Sequence, residues 1–442
     1  MNNENYILSN IAPRGGLAGI LAEEKRLLFS FGGLIFNYMK IKTQDIVYRE
    51  DLYPRFEPDQ KTIQKYSDSV DYLPPIKLDQ HNILIDGYHR WKAYQLAGID
   101  EIPYELIEVS SEKELKILAY QYNSNHGIQL KNDEKKKFAN EMIGDMAIED
   151  IVKILSVSQR IIYDWTKNKR EELKQERDRL IVEDYLRAEN TQEALAEKYG
   201  ITKDGISKII QKYNNCNSAK IIQNFKPFIY NIWNTQKGNE TNHFGSFPKI
   251  FMDNLLYFHT NPLDIVFDPF AGAGTTIDSC KDFYRRYYCT DRIVKPGREK
   301  DIKQHDILNG FPEGLPKPEM IFLDPPYWVL AKEEYSKDET DLGNMTKEIF
   351  YETMNNIVID CKKRKINKIA YLIRPIWEFG DKIEWIDPMF DLYDMASDKY
   401  KIEARYVIPY STEQYRATMV EKAKENKYCL ILNRELTILR LR

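Results

Sequence analysis

The stretch Ile265-Val266-Phe267-Asp268-Pro269-Phe270-Ala271-Gly272-Ala273-Gly274-Thr275-Thr276 decides the fold class. It reads as a buried strand, a glycine-rich turn and the start of a helix. Gly272 and Gly274 let the backbone approach a ligand at the helix N-terminus. No Gly-Lys-Ser/Thr follows, so the turn is not a nucleoside-triphosphate loop. The dinucleotide spacing Gly-x-Gly-x-x-Gly also fails, at Ile277. Working outward, Cys289-Thr290-Asp291 sets an acid at the end of the next strand, where ribose hydroxyls are commonly held. His305-Asp306-Ile307 sets a second acid after a further short element. Ile321-Phe322-Leu323-Asp324-Pro325-Pro326-Tyr327-Trp328 is another buried strand, ending in a rigid tetrapeptide. Its two prolines fix φ and remove two donors, leaving local carbonyls to accept from elsewhere. From Asn254 onward strand, turn and helix alternate. The expectation is an α/β domain with a doubly wound, Rossmann-like sheet.

Asp268–Thr275 together with Asp324–Tyr327 resembles the amino-directed DNA methyltransferases, over roughly Phe247 to the C-terminus. The helix Pro248–His259 and the ending Ile408–Gln414 belong to the same resemblance. It implies S-adenosylmethionine as cofactor and an exocyclic base amine, adenine N6 or cytosine N4, as methyl acceptor. Asp324 and the carbonyl of Pro325 would accept the amine's N–H groups, with Pro326 completing the rigid turn and Tyr327 stacking on a flipped base. Asp268 and the Phe270-Ala271-Gly272-Ala273-Gly274 loop, with Thr275, would hold the methionine part. Asp291 would take the ribose hydroxyls and Asp306 the adenine amine. Cytosine C5 chemistry needs a cysteine nucleophile, usually after proline, and no Pro-Cys dipeptide occurs. Asp as the first residue of the tetrapeptide favours adenine. Relatives with this tetrapeptide also methylate RNA bases or protein glutamine, so the remaining chain has to choose the substrate.

Lys131–Tyr213 has apolar positions at helical spacing and no proline. Thr191–Thr202 reads as a helix stopped by Gly200 and followed by an N-cap Thr, with Lys203–Tyr213 as a second helix. Ile148–Trp165 repeats the idea, with a candidate reading helix Gln159–Lys167. Both match the helix-turn-helix pattern, and Arg160, Lys203, Ser207 and Lys208 are the expected contacts to double-stranded DNA. Local charge adds nothing, since Lys131–Lys220 carries 18 basic and 17 acidic residues.

Leu52-Tyr53-Pro54-Arg55, Leu73-Pro74-Pro75-Ile76, Ile85–Arg90 and Asn123–Gly127 resemble the N-terminal domain of ParB partition proteins and its sulfiredoxin-like relatives. Where those proteins grip nucleotide phosphates with Gly-Glu-Arg-Arg, this chain has Gly87-Tyr88-His89-Arg90. The acid is missing, and a phosphate or DNA-backbone contact by His89 and Arg90 is the surviving expectation.

The division expected is an unassigned segment 1–40, a ParB-like α+β domain 41–130, a helical region 131–213, a linker 214–242 and the methyltransferase domain 243–442. Little room is expected after Tyr327 for a recognition insertion. Site choice is therefore assigned to Lys131–Tyr213, with the ParB-like block positioning or pairing subunits as a possible homodimer. The chain has 442 residues and a net charge of −4, so no global field steers it toward nucleic acid. Its five scattered cysteines form no Cys-x-x-Cys pair, which excludes a zinc ribbon or disulfide framework and leaves no metal site. Leu27–Phe36 is too short and too broken to span a bilayer. A soluble cytoplasmic DNA methyltransferase is the expectation. The alternative is a ParB-like DNA-binding regulator whose methyltransferase fold only senses S-adenosylmethionine.

Overall fold

The computed structural model describes residues 27–31, 34–125, 130–234, 247–326, 338–379, 383–409 and 415–442. Its contacts divide the chain into two units, Met1–Gln175 and Glu176–Arg442, with the division inside the helix Lys167–Leu186.

The first unit carries a five-stranded sheet of β1 (Leu27–Phe31), β2 (Leu34–Lys42), β3 (Ile76–Leu78), β4 (Leu84–Asp86) and β5 (Glu101–Leu106) in the order β1-β2-β5-β3-β4. Only β3 and β5 pair in parallel. Ile76 and Leu78 alternate onto the buried face, where Trp91, Tyr94 and Ile102 meet them. The segment 1–40, left unassigned from sequence, thus contributes β1 and most of β2 as an antiparallel hairpin. Within the apolar run Leu27–Phe36, residues 27–31 and 34–36 belong to these two strands. Helices Glu112–Asn125, Asn132–Met142, Ile148–Leu155 and Gln159–Trp165 follow, all four contributing to one cluster that holds Tyr120, Phe138, Ile151, Leu155 and Ile162.

The second unit holds a seven-stranded sheet: β6 (Ile265–Asp268), β7 (Arg286–Asp291), β8 (Ile302–Gln304), β9 (Met320–Leu323), β10 (Lys368–Ile373), β13 (Tyr400–Pro409) and β14 (Asn433–Leu441). The order is β13-β14-β10-β9-β6-β7-β8. The strands β8, β7, β6, β9 and β10 run parallel, and β14 is antiparallel to both its neighbours. A separate hairpin, β11 (Ile376–Phe379) with β12 (Ile383–Ile386), follows β10. Strand alternation sorts the core onto two faces. Ile321, Leu323 and Tyr371 pack with Phe350, Met354 and Val358 of helix Lys347–Arg364. Met320, Phe322 and Leu372 pack with Phe251, Leu255 and Ile277 from helices Lys249–His259 and Thr275–Phe283. Each such fully buried side chain contributes roughly 1.5–3 kcal/mol of transfer free energy.

Two boundaries read from composition need correcting. The Asn- and Lys-rich stretch expected as a linker from Asn214 begins inside one helix, Lys203–Asn224. Beyond it, Trp233 is fully buried and stacks on Tyr406 with ring centroids 4.1 Å apart. Nor is the helical region 131–213 one body: the second helix pair belongs with the sheet. There the Arg286 guanidinium donates to the carbonyls of Tyr185, Ala188 and Asn190 at 2.8–2.9 Å, and Ala188 N–H donates to Tyr287 O. Among the described residues, no helix is long and apolar enough to cross a membrane.

Candidate active site

The carboxyl ends of β6, β7, β8 and β9 surround a cavity of about 200 Å³. Parallel strands separated by helices leave their carboxyl ends open in this way. Of the residues singled out from sequence, Phe270, Ala271, Gly272, Thr275, Asp291, Asp306, Asp324 and Pro326 line it. Asp268, Gly274 and Pro325 are not in the lining, and Tyr327 lies outside the described residues.

Asp268 is 2% exposed and shapes the loop from beneath. Its carboxylate accepts from Phe270 N–H at 2.9 Å and Thr276 Oγ1 at 2.5 Å. Burial, helped by the nearby Asp324 charge, pushes its pKa up to about 7. Gly274 opens helix Thr275–Phe283 at φ 87°, in the left-handed region that favours glycine. A side chain there would meet the Arg298 guanidinium at 3.0 Å, and Arg298 clamps Asp278 through two bonds of 2.8 and 2.6 Å. Gly274 therefore serves the turn and the helix, while Gly272 faces the cavity. Asp291 accepts from Gly272 N–H at 2.7 Å and Ile293 N–H at 3.0 Å, and burial raises its pKa. Asp306 caps Leu308 N–H at 3.0 Å and sits 3.5 Å from Arg292 Nε.

Asp324 follows β9 with its side chain 14% exposed. Burial pushes its pKa up to about 6, against the pull of Arg434, whose Nη1 lies 3.5 Å from Oδ2. Arg434 is on β14, whose antiparallel course returns it to the edge where β9 ends. Sequence reading missed Arg434, and also Asp341, a buried acid in the lining that caps Gly343 N–H at 2.9 Å. Neither sits in a motif, and only the fold brings them to the cavity.

A model of the N6/N4 DNA methylases matches residues 29–293, three fifths of the 442 residues. The chain belongs to the DNA methylase family. The matched span includes the loop after β6 and ends before Asp324. No curated protein matches this chain. Among solved structures it is similar to the chromosome-partitioning protein ParB from Caulobacter crescentus complexed to the centromeric parS site. That match has 17% identity, covers 29% of this chain and 69% of that one, and has a TM-score of 0.24. TrmN from Thermus thermophilus is similar at 14% identity over 44% of this chain and 49% of that one, with a TM-score of 0.28. The pNOB8-like ParB-N domain is similar at 13% identity over 47% and 88%, with a TM-score of 0.24.

Each unit of the chain also carries one candidate reading helix. In the second unit, Thr202 caps Gly205 N–H at 3.1 Å and Gly200 turns at φ 63°, with Leu195, Ile206 and Ile210 buried beneath. Lys203 is ion-paired with Glu193, Ser207 is half-buried and Lys208 is exposed. In the first unit the reading helix is shorter than expected, Gln159–Trp165, capped by Ser158, with Arg160 exposed. At the Gly87 turn, Arg90 donates to Pro74 O, Pro75 O and Asp86 Oδ2, the last at 2.6 Å. His89 Nε2 accepts from Asp59 N–H at 3.0 Å. Both side chains thus have partners within the unit itself.

The expectation of little room after Tyr327 is also revised. The β11–β12 hairpin and the helix Ala417–Glu425 are both additions to the sheet on its carboxyl side.

Proposed function

We propose that this chain transfers the methyl group of S-adenosylmethionine to the exocyclic amine of a DNA base, adenine N6. The observation that carries the reading is the placement of Asp324 in one cavity with the Phe270–Ala273 loop, Asp291 and Asp306. The residues fit the cofactor in kind. Two carboxylates, a glycine turn and the exposed Ile293 supply acceptors, close backbone and an apolar surface. Asp291 would hold the ribose hydroxyls, Asp306 the adenine amine, and the Phe270–Ala273 loop, supported by Asp268 and Gly274, the methionine part. When bound, S-adenosylmethionine supplies an electrophilic methyl group.

The chain's own work is on the acceptor. A base amine is a poor nucleophile because its lone pair is delocalised into the ring. Ionised Asp324 accepts one N–H and the carbonyl of Pro325 the other, drawing the nitrogen toward tetrahedral geometry. The proton released on transfer has Asp324 as its nearest base. Arg434 keeps that carboxylate ionised and oriented. Tyr327 is assigned to stack on the base outside the duplex, an interaction worth roughly 1–3 kcal/mol toward the cost of flipping. Sequence is read by Lys203–Tyr213 and Gln159–Trp165, with double-stranded DNA as partner. Incubating the protein with labelled S-adenosylmethionine and unmethylated duplex, then digesting to nucleosides, should give label in N6-methyldeoxyadenosine. Label in N4-methyldeoxycytidine moves the target to cytosine. No labelled nucleoside favours the regulator that only senses S-adenosylmethionine.

A further inference from the structure

We propose that Arg292 is a positioning residue for the cofactor: its guanidinium braces Asp306, the acid assigned to the adenine amine, against the turn Asp338–Asn344. The inference rests on the S-adenosylmethionine reading above and adds to it what sets the preference for adenine.

Strand register brings Arg292 to the cavity. It follows the last residue of β7, and β7 pairs in parallel with β8 so that Asp291 stands beside Gln304. His305 N–H donates to Asp291 O at 3.0 Å and Gln304 Nε2 to Arg292 O at 3.3 Å, which ties the two strand ends together. Asp306 lies two residues beyond the end of β8, and both Arg292 and Asp306 line the cavity.

An acid beyond a strand end turns freely unless something holds it. One oxygen of Asp306 accepts from Leu308 N–H at 3.0 Å, and the other lies 3.5 Å from Arg292 Nε. The carboxylate is thus held at both oxygens and still has lone pairs to spare for an amine.

The same guanidinium also reaches a second segment. Its Nη2 donates to Asp338 Oδ2 and Thr340 Oγ1. That segment is a firm turn. Thr340 N–H donates to Asp338 Oδ1 at 2.9 Å, while Asp341 N–H and Asn344 Nδ2 donate to Asp338 O at 3.0 and 2.8 Å. Asp341 and Leu342 of the turn line the cavity, and Leu342 is buried in the core cluster that holds Phe350 and Met354. Asp338 is exposed, and an exposed ion pair alone is worth little. Here one planar fork meets three side chains from two segments, and its Nη1 is buried, so the group is enclosed and cannot swing away.

The test is calorimetric binding of S-adenosylhomocysteine, and of its inosine form in which a carbonyl replaces the amine, to the full chain. The wild-type chain should prefer the adenosine form. Arg292→Ala should weaken binding of that form about 10-fold and leave the inosine form nearly unchanged, so that the preference falls by the same factor. Arg292→Lys keeps the charge without the fork and should recover only part of the loss. Asp338→Asn should cost the adenosine form about two- to threefold, and nothing further in the Arg292→Ala chain. Should Arg292→Ala fail to fold, as judged by thermal unfolding, Arg292→Lys and Asp338→Asn carry the same prediction. An unchanged preference in these variants overturns the proposal, as does an equal loss of both forms or full recovery by lysine. Wild-type binding without any preference overturns it together with the role of Asp306. No binding of either form refutes the cofactor reading and this brace with it. A preference that depends on Arg292, without methyl transfer by the wild-type chain, supports the brace and refutes the catalytic reading instead.

Discussion

The turns at Gly87 and Gly274 use the same local device toward opposite ends. Each follows a short strand, takes a left-handed φ (107° and 87°) and opens a nine-residue helix. At Gly87 the device closes on itself. Arg90 reaches back to two proline carbonyls and to Asp86, and an added Cβ would sit 2.7 Å from Ile76 Cγ2. At Gly274 the preceding loop is held from below by Asp268, while Gly272 and its neighbours face a cavity lined by Asp291, Asp306 and Asp324. Asp268, Asp291 and Asp324, gathered with their pKa values raised by burial, are costly to a fold. Acid pKa values raised inside a concave site make it a candidate for chemistry, whereas internally satisfied polar groups are the ordinary structural arrangement.

The comparison can be broken most strongly at Asp324. Asp324→Ala should lower methyl-transfer turnover by about 10²–10³, by analogy with losing one preorganised transition-state partner. S-adenosylmethionine affinity should be nearly unchanged, measured by calorimetry on the same sample. Equal losses in both would make Asp324 a structural acid and erase the contrast.

Next in size is a pair of glycine variants. Gly274→Val should abolish measurable S-adenosylmethionine binding, because the branched side chain meets Arg298 and forces the turn from φ 87°. Gly87→Val should destabilise the first unit, seen in thermal unfolding, and leave that binding intact. If both variants lose binding alike, the two turns do not differ in the way described.

A smaller effect concerns pH. Asp324 accepts hydrogen bonds only when ionised, and its pKa is raised to about 6. Turnover should therefore rise with pH through that value and flatten above it. Arg434→Met removes the one cation among the described residues that lowers this pKa, so the rising limb should move to higher pH while the plateau rate is partly retained at alkaline pH. An unmoved limb would assign the titration to another group.

The smallest differences concern two lysines of the reading helix that begins at Lys203. Lys208→Ala should weaken duplex binding and flatten the salt slope by about one unit. Lys203→Ala should do less, because Lys203 is already paired with Glu193. A truncation should begin near Glu176. Cutting at Asn214 would remove Val182, Leu186 and Ala188 from the sheet's core and strip Arg286 of its acceptors.

What could be read from sequence was short-range. The strand, turn and helix at Ile265–Phe283 and the strand before Asp324 each lie within a few residues, so apolar runs and glycines reveal them. The helix cap at Thr202 was legible for the same reason. Arg434 was not, because it lies over a hundred residues from Asp324 and only antiparallel pairing returns it. Trp233 was hidden by the polar composition around it, although its ring is fully buried against Tyr406. Arg90 misled in the other direction. A Gly-x-x-Arg turn says nothing about whether the guanidinium reaches out to a phosphate or back to Pro74 and Pro75.

The most direct test is base-resolved detection of modified DNA after expressing the chain in a host without methylation of its own. The account predicts N6-methyladenine at one recurring sequence, present with the wild-type chain and absent with Asp324→Ala. DNA free of modified amines with the wild-type chain, or the same modification with Asp324→Ala, would contradict it.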